Sequence, residues 1–468
     1  MTSPRRDRLL TPLMLGVASG SILVPLNSTM LAVALPGVMD EFHLGPAAVS
    51  SLVTLYLGAV AVALPVSGSL GDRFGHRRTF LGGVVVFGLA SLLAVGATSF
   101  ALLQVARVCQ AISGAFVSTS SAALVRIAAP PRRRGEAFGL FDLLTSTSAA
   151  AGPFIGGVLV GAFGWRSLFV VAVPVALLAA FTVGYWLRPQ ATSAISAEAP
   201  PYAPGASPAI RRPPLDVVGL AILAALIVVF LIALHGDTGL IGLIAAVAIL
   251  PLAAILVWFE LGRPLPAVDP RLFRSPAFSS AVVGIFGTTV VLHACFILVP
   301  MLVERLLGGS PTTSGLVLLG VSGVGALVAP FGGRASDRRG RRALVVTGSL
   351  VMTAGLAGLA LPAGSASFIA VGALLAVVGL GMGLSGPPRQ TAAFETIRAE
   401  RIGMAAGTYY TGRYLGGVAG ASIAGAILAS GITSGAVTLG FTILVAVSLG
   451  VAVVSRWLPG GQAATARA

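Results

Sequence analysis

Long apolar stretches separated by short polar loops follow one another along the whole chain. Each has the roughly 20 mostly apolar residues that a helix needs to cross a bilayer. The pattern predicts fourteen spans, at 12–36, 48–70, 79–98, 101–126, 136–162, 166–187, 215–234, 239–259, 277–304, 312–332, 343–362, 366–387, 402–430 and 435–457. Because no segment remains for a soluble domain, we predict an all-α membrane protein of 14 transmembrane helices.

The composition fits a surface that faces lipid. Of the 468 residues, 56% are hydrophobic and 10% are charged, whereas about 25% are charged in a soluble domain. All 30 basic residues are arginine. A chain without lysine has neither the lysine of a Walker A loop nor a Schiff-base lysine, so we do not expect it to draw energy from an ATP site of its own.

Two cysteines and four histidines show no disulfide framework and no metal-ligand spacing, so we predict no metal and no cofactor. The net charge of +15 does not indicate nucleic acid, because apolar spans separate the arginines instead of one basic face gathering them. The apolar run after Arg8 continues to Pro36 without a small-residue cleavage site. We interpret it as the first span, not as a signal peptide.

The positions of the arginines predict the orientation in the membrane. The two termini and the loops on the same side of the membrane as the N-terminus hold 26 arginines. The loops on the opposite side hold Arg166 and Arg305, and Arg107 and Arg413 lie within spans. Arginine is retained on the cytoplasmic side. We therefore predict a multi-pass protein of the cell membrane with both termini in the cytoplasm.

A loop motif occurs twice, 265 residues apart. Gly68, Asp72, Arg73, Gly75 and Arg77 lie at the end of the second span and in the loop after it, and Gly333, Asp337, Arg338, Gly340 and Arg342 occupy the matching positions after the tenth. Repeats of whole sets of spans are typical of secondary transporters. Glycine allows a tight reversal of the chain, and the arginines hold both loops in the cytoplasm.

The spacing of the repeat predicts the domain organisation. At 1.5 Å of rise per residue a 30 Å bilayer takes about 20 residues, so two six-span halves joined directly would repeat after about 200 residues, loops included. The observed offset of 265 residues is larger and indicates two inserted spans. Residues 188–214 are rich in proline, alanine and serine and read as a cytoplasmic linker. We predict a six-helix bundle at 1–187, the linker at 188–214, two inserted helices at 215–259 and a second six-helix bundle at 260–468.

These motifs resemble those of the major facilitator superfamily, and in particular its 14-span drug:proton antiporters, over essentially the whole chain. The duplicated loop is similar to the superfamily's cytoplasmic gating loop. In the fifth span, Gly139, Ser148, Gly152, Pro153, Gly156 and Gly157 resemble the antiporter motif, with Ser148 where glycine is usual. Arg107 and Gln110 resemble an intramembrane arginine motif that is associated in the family with proton movement. Arg413 opens a similar thirteenth-span motif, with Tyr414 where glutamine is usual.

The first span departs from the family pattern. Asn27 stands where the family usually has an aspartate, and an amide cannot carry a proton. Asp142 lies about 10 Å into the fifth span at 1.5 Å per residue, where loss of water favours the protonated carboxyl. We predict Asp142, together with Arg107, as the proton-coupling pair. The alternative is that Asp142 only shapes a wetter inner vestibule.

A substrate cavity is predicted from the remaining intramembrane polar residues, namely Asn27, Gln110, His293, Tyr410 and Arg413. Structural alternatives stay open at this stage. Asn27 could bond to a neighbouring helix, and His293 could be a hydrogen-bonded structural residue. So few charges are available that the cavity should be mostly apolar. A cationic substrate would need Asp142, whereas a neutral or weakly anionic one, which we favour, would suit Asn27, Arg107 and Arg413.

The sequence therefore predicts a proton-coupled exporter of lipophilic small molecules, such as drugs or antibiotics, that works by alternating access as a monomer in the bilayer. The alternative is an uptake carrier or uncoupled facilitator of a small organic solute, which Asn27 favours. We do not expect an enzyme, because no nucleophile–base or paired-carboxylate constellation shares a plausible site. A sensor would need a soluble output domain.

Overall fold

The computed structural model describes residues 12–128, 134–186, 217–234, 239–263, 269–361, 367–395, 397 and 402–459, and within these ranges the regular structure is entirely helical. The helices are α1 Pro12–Met30, α2 Leu35–Phe42, α3 Pro46–Phe74, α4 His76–Val95, α5 Phe100–Ala128, α6 Arg134–Phe163, α7 Ser167–Trp186, α8 Val217–Leu234, α9 Leu240–Leu261, α10 Pro276–Pro300, α11 Pro311–Arg339, α12 Arg341–Leu359, α13 Phe368–Glu395, α14 Ile402–Leu428 and α15 Ser434–Val454. A 3₁₀ turn at Leu31–Ala34 joins α1 to α2, and a π-helical segment at Met301–Leu306 extends α10.

Twelve stretches within the described residues are long and apolar enough to cross a membrane, which confirms a multi-pass helical membrane protein. The helix α8 contributes a shorter apolar stretch, Val218–Phe230, and α14 carries Arg413 and a run of glycines within its 27 residues. The count of fourteen spans therefore stays a prediction. Several helices extend beyond the predicted apolar limits, because their last turns carry polar residues; α11, for example, continues to Arg339.

The two copies of the loop motif have the same backbone geometry. Gly75 joins α3 to α4 at φ +91° and Gly340 joins α11 to α12 at φ +84°, a region that L side chains rarely adopt. Each glycine N–H donates to the carbonyl oxygen four residues earlier, of Gly71 at 2.9 Å and of Ser336 at 3.1 Å. The repeat is thus present in the backbone as well as in the sequence.

Two ends of the molecule can be distinguished. The arginine-rich end carries the α3–α4 and α11–α12 junctions, with Arg77, Arg78, Arg341 and Arg342. The opposite end, called here the Asp40 end, carries Asp40, Glu41, Arg166 and Arg305. At that end Glu41 accepts hydrogen bonds from the indole of Trp165 at 2.8 Å and the guanidinium of Arg166 at 2.6 Å. Those contacts fix the end of α2 on the α6–α7 turn.

The hydrophobic core shows at which end the two groups of helices meet. One core cluster draws on both α1–α7 and α10–α15 at the Asp40 end, from Leu31 and Val53 to Val299 and Phe441. Towards the arginine-rich end it is replaced by two separate clusters. One contains only residues between 14 and 183, and the other only residues between 272 and 458. Among the described residues the core is therefore shared by the two groups at the Asp40 end and divided between them at the arginine-rich end, a division that we interpret as a cleft.

Two helix pairs, α3 with α14 and α6 with α11, form the most extensive contacts between the groups. The inserted helices pack outside this arrangement: α8 lies against α3 and α14, and α9 lies against α8. The buried side chains of Ala61, Leu223, Ile227 and Leu256 form the small core that holds them. The predicted linker at 188–214 lies outside the described residues, so the predicted domain boundaries remain a proposal.

Candidate functional site

A buried arginine organises the middle of the N-terminal helices. Arg107, on α5, is 1% exposed, and its Nη1 donates to the side-chain oxygen of Asn27 on α1 and, at 3.0 Å, to Gln110 Oε1. Gln110 Nε2 in turn donates to Ser91 Oγ on α4 at 2.8 Å. The cluster of Asn27, Ser91, Arg107 and Gln110 thus ties three helices together.

The charge of Arg107 is balanced by dipoles and an aromatic face. Its guanidinium carbon lies 4.2 Å from the ring centroid of Tyr56 on α3, a cation–π contact that stabilises a desolvated cation. Within the described part of the chain Arg107 forms no ion pair, and its Nε has no hydrogen-bond partner. A carboxylate at position 27 would neutralise this charge, whereas Asn27 leaves it in place.

Asn27 and Gln110, predicted to line a substrate cavity, are 4% and 0% exposed. In this conformation both belong to the packed Arg107 cluster. The structure therefore brings Asn27, Arg107 and Gln110 together, but as an interior network and not as the wall of an open cavity.

Arg413 and His293 lie instead at the apex of the cleft. Thr289 Oγ1 donates to the carbonyl oxygen of Arg413 at 2.9 Å, which fixes α14 on α10. One turn further along α14, a Cβ at Gly417 would lie 2.8 Å from Leu57 of α3 and 3.1 Å from the ring of His293. The two groups touch at that level, and the side chain of Arg413, one turn nearer the arginine-rich end, is exposed.

Tyr410 and His293 have defined hydrogen bonds. Tyr410 Oη accepts from Gln390 Nε2 on α13 at 3.1 Å. His293 Nδ1 lies 3.1 Å from the carbonyl oxygen of Thr289. A carbonyl only accepts, so Nδ1 carries the proton in the neutral ring and Nε2 is the acceptor. His293 is thus anchored structurally while its Nε2 remains available for a further hydrogen bond.

The glycine and proline residues in the middle of α6 form the seam that closes the Asp40 end. Gly152 and Gly156 face α1, where Cβ atoms would meet Thr29 and the backbone of Met30. Gly157 faces the other way, and a Cβ there would lie 2.6 Å from the Pro311 carbonyl oxygen on α11. Pro153 presents its carbonyl oxygen to Gly315 of α11. These residues let two helix backbones touch directly, as small residues do in membrane helix pairs.

A second contact across the seam was not predicted from the sequence. Arg305 Nη2 donates to Asp40 Oδ1 at 2.5 Å and to the Pro36 carbonyl oxygen at 2.9 Å. The sequence separation of Asp40 and Arg305 is 265 residues, which equals the offset of the loop repeat. Equivalent positions of the two repeats therefore meet each other, with opposite charges. In the sequence, the signal for the contact between Asp40 and Arg305 is that their separation equals the offset of the loop repeat.

We expect charge reversal at this pair to loosen the Asp40 end. Arg305→Asp should raise the labelling rate of a cysteine placed at buried Leu318. The expected increase is only about twofold to fivefold, because a partly exposed ion pair contributes little to the stability of a closed state. The double variant Asp40→Arg/Arg305→Asp should recover part of the original rate. Labelling by a membrane-impermeant maleimide measures this. Equal rates in all three proteins would show that the pair does not hold the end closed.

Arg389 is an intramembrane arginine that the sequence pattern placed in a loop after 366–387. Instead α13 continues through Pro387 and Pro388 to Glu395, and Arg389 is 0% exposed. Its Nη1 donates to Thr288 Oγ1 at 2.6 Å and its Nη2 to Ser349 Oγ at 3.5 Å. Proline disfavours a helix interior, but Pro387 and Pro388 do not end this helix. The sequence signal for the continuation is the helical spacing of Ser385, Arg389 and Ala392, which share one buried face in the structure.

Several predicted residues lie on described helices while their side chains are outside the described residues. They are Asp72, Asp142, Asp337 and Arg338. Gly68 and Gly139 belong to α3 and α6. Arg73 is exposed at the end of α3, and Arg77 Nη2 donates to the Gly184 carbonyl oxygen at 2.9 Å. The proton-coupling role of Asp142 stays a prediction.

Comparison with known proteins gives a consistent picture. The sequence model described as the Major Facilitator Superfamily matches residues 17–297, 218–421 and 277–467. The chain is 32% identical over 410 residues to the uncharacterized MFS-type transporter YwoD of Bacillus subtilis, covering 86% of each chain. It is 30% identical to the tetracenomycin C resistance and export protein of Streptomyces glaucescens, covering 87% of this chain and 74% of that one. It is 29% identical to a multidrug resistance protein B homolog of Mycobacterium tuberculosis strain H37Rv, covering 86% of this chain and 73% of that one.

Proposed function

Because the chain belongs to the Major Facilitator Superfamily of transporters, we propose that it is a proton-coupled exporter of lipophilic small molecules. It works as a monomer in the cell membrane, with its termini and its arginine-rich end in the cytoplasm. The observation that carries the proposal is the closed seam at the Asp40 end together with the cleft at the other. Such a pair of features is what alternating access requires of one of its two states.

In this cycle substrate enters the cleft from the cytoplasm, or from the membrane, while the Asp40 end is closed. The helices that precede the linker and those that follow the inserted pair then rock about the α3–α14 and α6–α11 contacts. The Asp40 end opens and the arginine-rich end closes. The glycine seam and the Asp40–Arg305 pair are the contacts that must break in each cycle.

Protons that move down their gradient supply the energy, about 2.3 kcal/mol per charge per 100 mV of membrane potential. In the proposed mechanism Asp142 carries the proton, because Asn27 cannot ionise. A carboxyl in the membrane interior favours its neutral form, so proton binding and release at Asp142 can follow the alternation of access. Arg107 tunes this step as a fixed positive charge.

The names of two relatives support export of drug-like compounds, one for tetracenomycin C and one for multidrug resistance. An apolar groove of about 430 Å³ between α3, α5 and α8 supports a lipophilic cargo. Leu55, Ala59 and Val62 of α3 line one wall, and Val108 and Ile112 of α5 the other. A molecule dissolved in the bilayer can reach this groove without crossing a polar surface.

The proposal is tested by the accumulation of lipophilic antibiotics and dyes in cells that lack their own efflux pumps. We expect cells with this protein to accumulate less of at least one compound. A protonophore should abolish the difference, and so should Asp142→Asn, which removes the titratable group. Asp142→Glu keeps the group and serves as the matched control, for which we expect partial activity.

The opposite results distinguish the alternative function. If accumulation rises, or if export continues unchanged with the protonophore, the protein is an uptake carrier or an uncoupled facilitator. The presence of Asn27 in place of a carboxylate favours that alternative. If Asp142→Asn exports normally while the protonophore still blocks export, another group carries the proton.

A further inference from the structure

The apex of the cleft presents a positive charge between two packed helix faces. Gly412, Gly416 and Gly420 of α14 lie against α10, where added Cβ atoms would meet Val282, Phe286 and Val290. Gly417 and Gly425 lie against α3, where they would meet Leu57 and Ser50. On a helix of 100° per residue, Arg413 falls between these two faces. Its exposed side chain therefore points into the cleft between α3 and α10.

The described surroundings of Arg413 contain no carboxylate paired with it. Three ion pairs between two described residues join Glu41 with Arg166, Asp40 with Arg305, and Glu395 with Arg341, and Arg413 takes part in none of them. All three lie at the ends of helices. A guanidinium at membrane depth is costly unless an anion or a polar cavity compensates it.

Two buried arginines in the interior beside Arg413 add positive charge. Arg107 and Arg389 are buried to 1% and 0% exposure, and each makes hydrogen bonds only to neutral side chains, with its Nε unpartnered. Tyr56 contacts the guanidinium of Arg107, and the next residue, Leu57, packs against α14 at Gly417, one turn from Arg413. Asn27 contributes no negative charge. Any ligand at the apex of the cleft therefore meets a net positive potential from the described side chains.

The apex also offers apolar and aromatic surface. Tyr410 is held by Gln390, Leu57 closes the apex from α3, and His293 packs edge-on against Phe296 at 5.9 Å between ring centroids. A flat ring system fits against such side chains. An acidic group on the same molecule would reach the guanidinium, whose planar fork binds carboxylates and other oxyanions in two-point contact.

We propose that the cargo of this transporter is an aromatic organic anion, whose acidic group pairs with Arg413 at the apex of the cleft. This inference rests on the proposed export function and names its substrate class. The acidic group is a carboxylate, phenolate or sulfonate, and the ring system occupies the space beside Tyr410 and His293. A lipophilic cation is repelled at the same place.

The test measures the uptake of three fluorescent probes into everted membrane vesicles energised with a proton gradient. The probes are fluorescein as the aromatic anion, ethidium as the cation and Nile red as the neutral compound. We expect wild-type protein to transport fluorescein in preference to ethidium. Arg413→Gln should lower fluorescein transport about tenfold or more, the loss of one charge-assisted contact. Arg413→Lys, which keeps the charge, should lose less.

Two controls separate binding from structure. Arg274→Gln removes an exposed arginine of the 3₁₀ turn Pro270–Arg274, which precedes α10, and should leave fluorescein transport unchanged. Transport of Nile red by Arg413→Gln should remain within about twofold of wild type, since a neutral probe does not use the charge. An equal loss for all three probes, or an increased preference for fluorescein in Arg413→Gln, overturns the inference.

The outcomes also separate this inference from the proposed function. If wild-type vesicles accumulate ethidium or Nile red but not fluorescein, the export function stands and the anion assignment is wrong. If none of the three probes is transported with a proton gradient, the proposed function fails and the inference fails with it.

Discussion

Replacing Asn27 with leucine is expected to destabilise the protein by about 2–3 kcal/mol, the cost of removing one partner of a buried, charged hydrogen bond. Asn27 supplies the side-chain oxygen that accepts from Arg107 Nη1. Without it the guanidinium keeps only Gln110 Oε1 and the ring of Tyr56. Thermal unfolding in detergent measures the loss, and transport should fall with it.

The double variant Asn27→Leu/Arg107→Leu gives the informative comparison. Replacing both partners with apolar side chains removes the uncompensated charge, so the double variant should be more stable than Asn27→Leu alone. It should nevertheless remain inactive if the charge of Arg107 takes part in coupling. Asn27→Asp is the matched control, because it keeps the acceptor and neutralises the charge, and it should be at least as stable as wild type.

The result that contradicts this account is a double variant less stable than Asn27→Leu. Arg107 would then stabilise the bundle through packing on Tyr56 and not through its charge. An Asn27→Asp variant that is less stable than wild type would contradict it equally, since a carboxylate placed against a buried guanidinium should strengthen the contact.

Gly157→Leu is expected to reduce transport roughly tenfold or more, because a side chain there cannot coexist with the closed Asp40 end. Its Cβ alone would lie 2.6 Å from the Pro311 carbonyl oxygen and 3.1 Å from the Gly315 Cα. Both neighbours are backbone atoms, which cannot move aside as a flexible side chain would. The α6–α11 seam must then stay apart, and the protein is held open at that end.

Cysteine labelling separates a trapped conformation from a misfolded protein. Cys109 and Cys295 are first replaced with serine, and Leu318, buried in the core at the Asp40 end, is changed to cysteine. We expect a membrane-impermeant maleimide to label this position several times faster in Gly157→Leu. Gly82→Leu on α4 is the control, since a Cβ at Gly82 meets nothing within 4 Å, and it should transport and label as wild type.

Two findings would refute the role of the seam. Normal transport by Gly157→Leu would show that α6 and α11 need not touch in the cycle. A loss of transport with unchanged labelling at Leu318→Cys, in a protein that still unfolds cooperatively, would show that the substitution acts elsewhere.

The sequence by itself determined the family, the helical membrane fold and the duplicated glycine turn at Gly75 and Gly340. These features are local. An apolar stretch of bilayer length forms a helix because lipid offers no other partner for its backbone, and a glycine at positive φ is read from its position between two helices. The predicted limits of the helices erred where polar residues continue a helix beyond its apolar stretch, as at Arg339 and Arg389.

Only the tertiary structure decided which side chains meet. Asn27 lies 80 residues from Arg107, and Asp40 lies 265 residues from Arg305. Hydropathy places each residue at a depth in the membrane but does not fix how its helix is rotated or which helix lies beside it. That rotation follows from the packing of all the helices at once. It buries Asn27 and Gln110 in the Arg107 cluster, exposes Arg413 in the cleft, and closes the molecule at the Asp40 end.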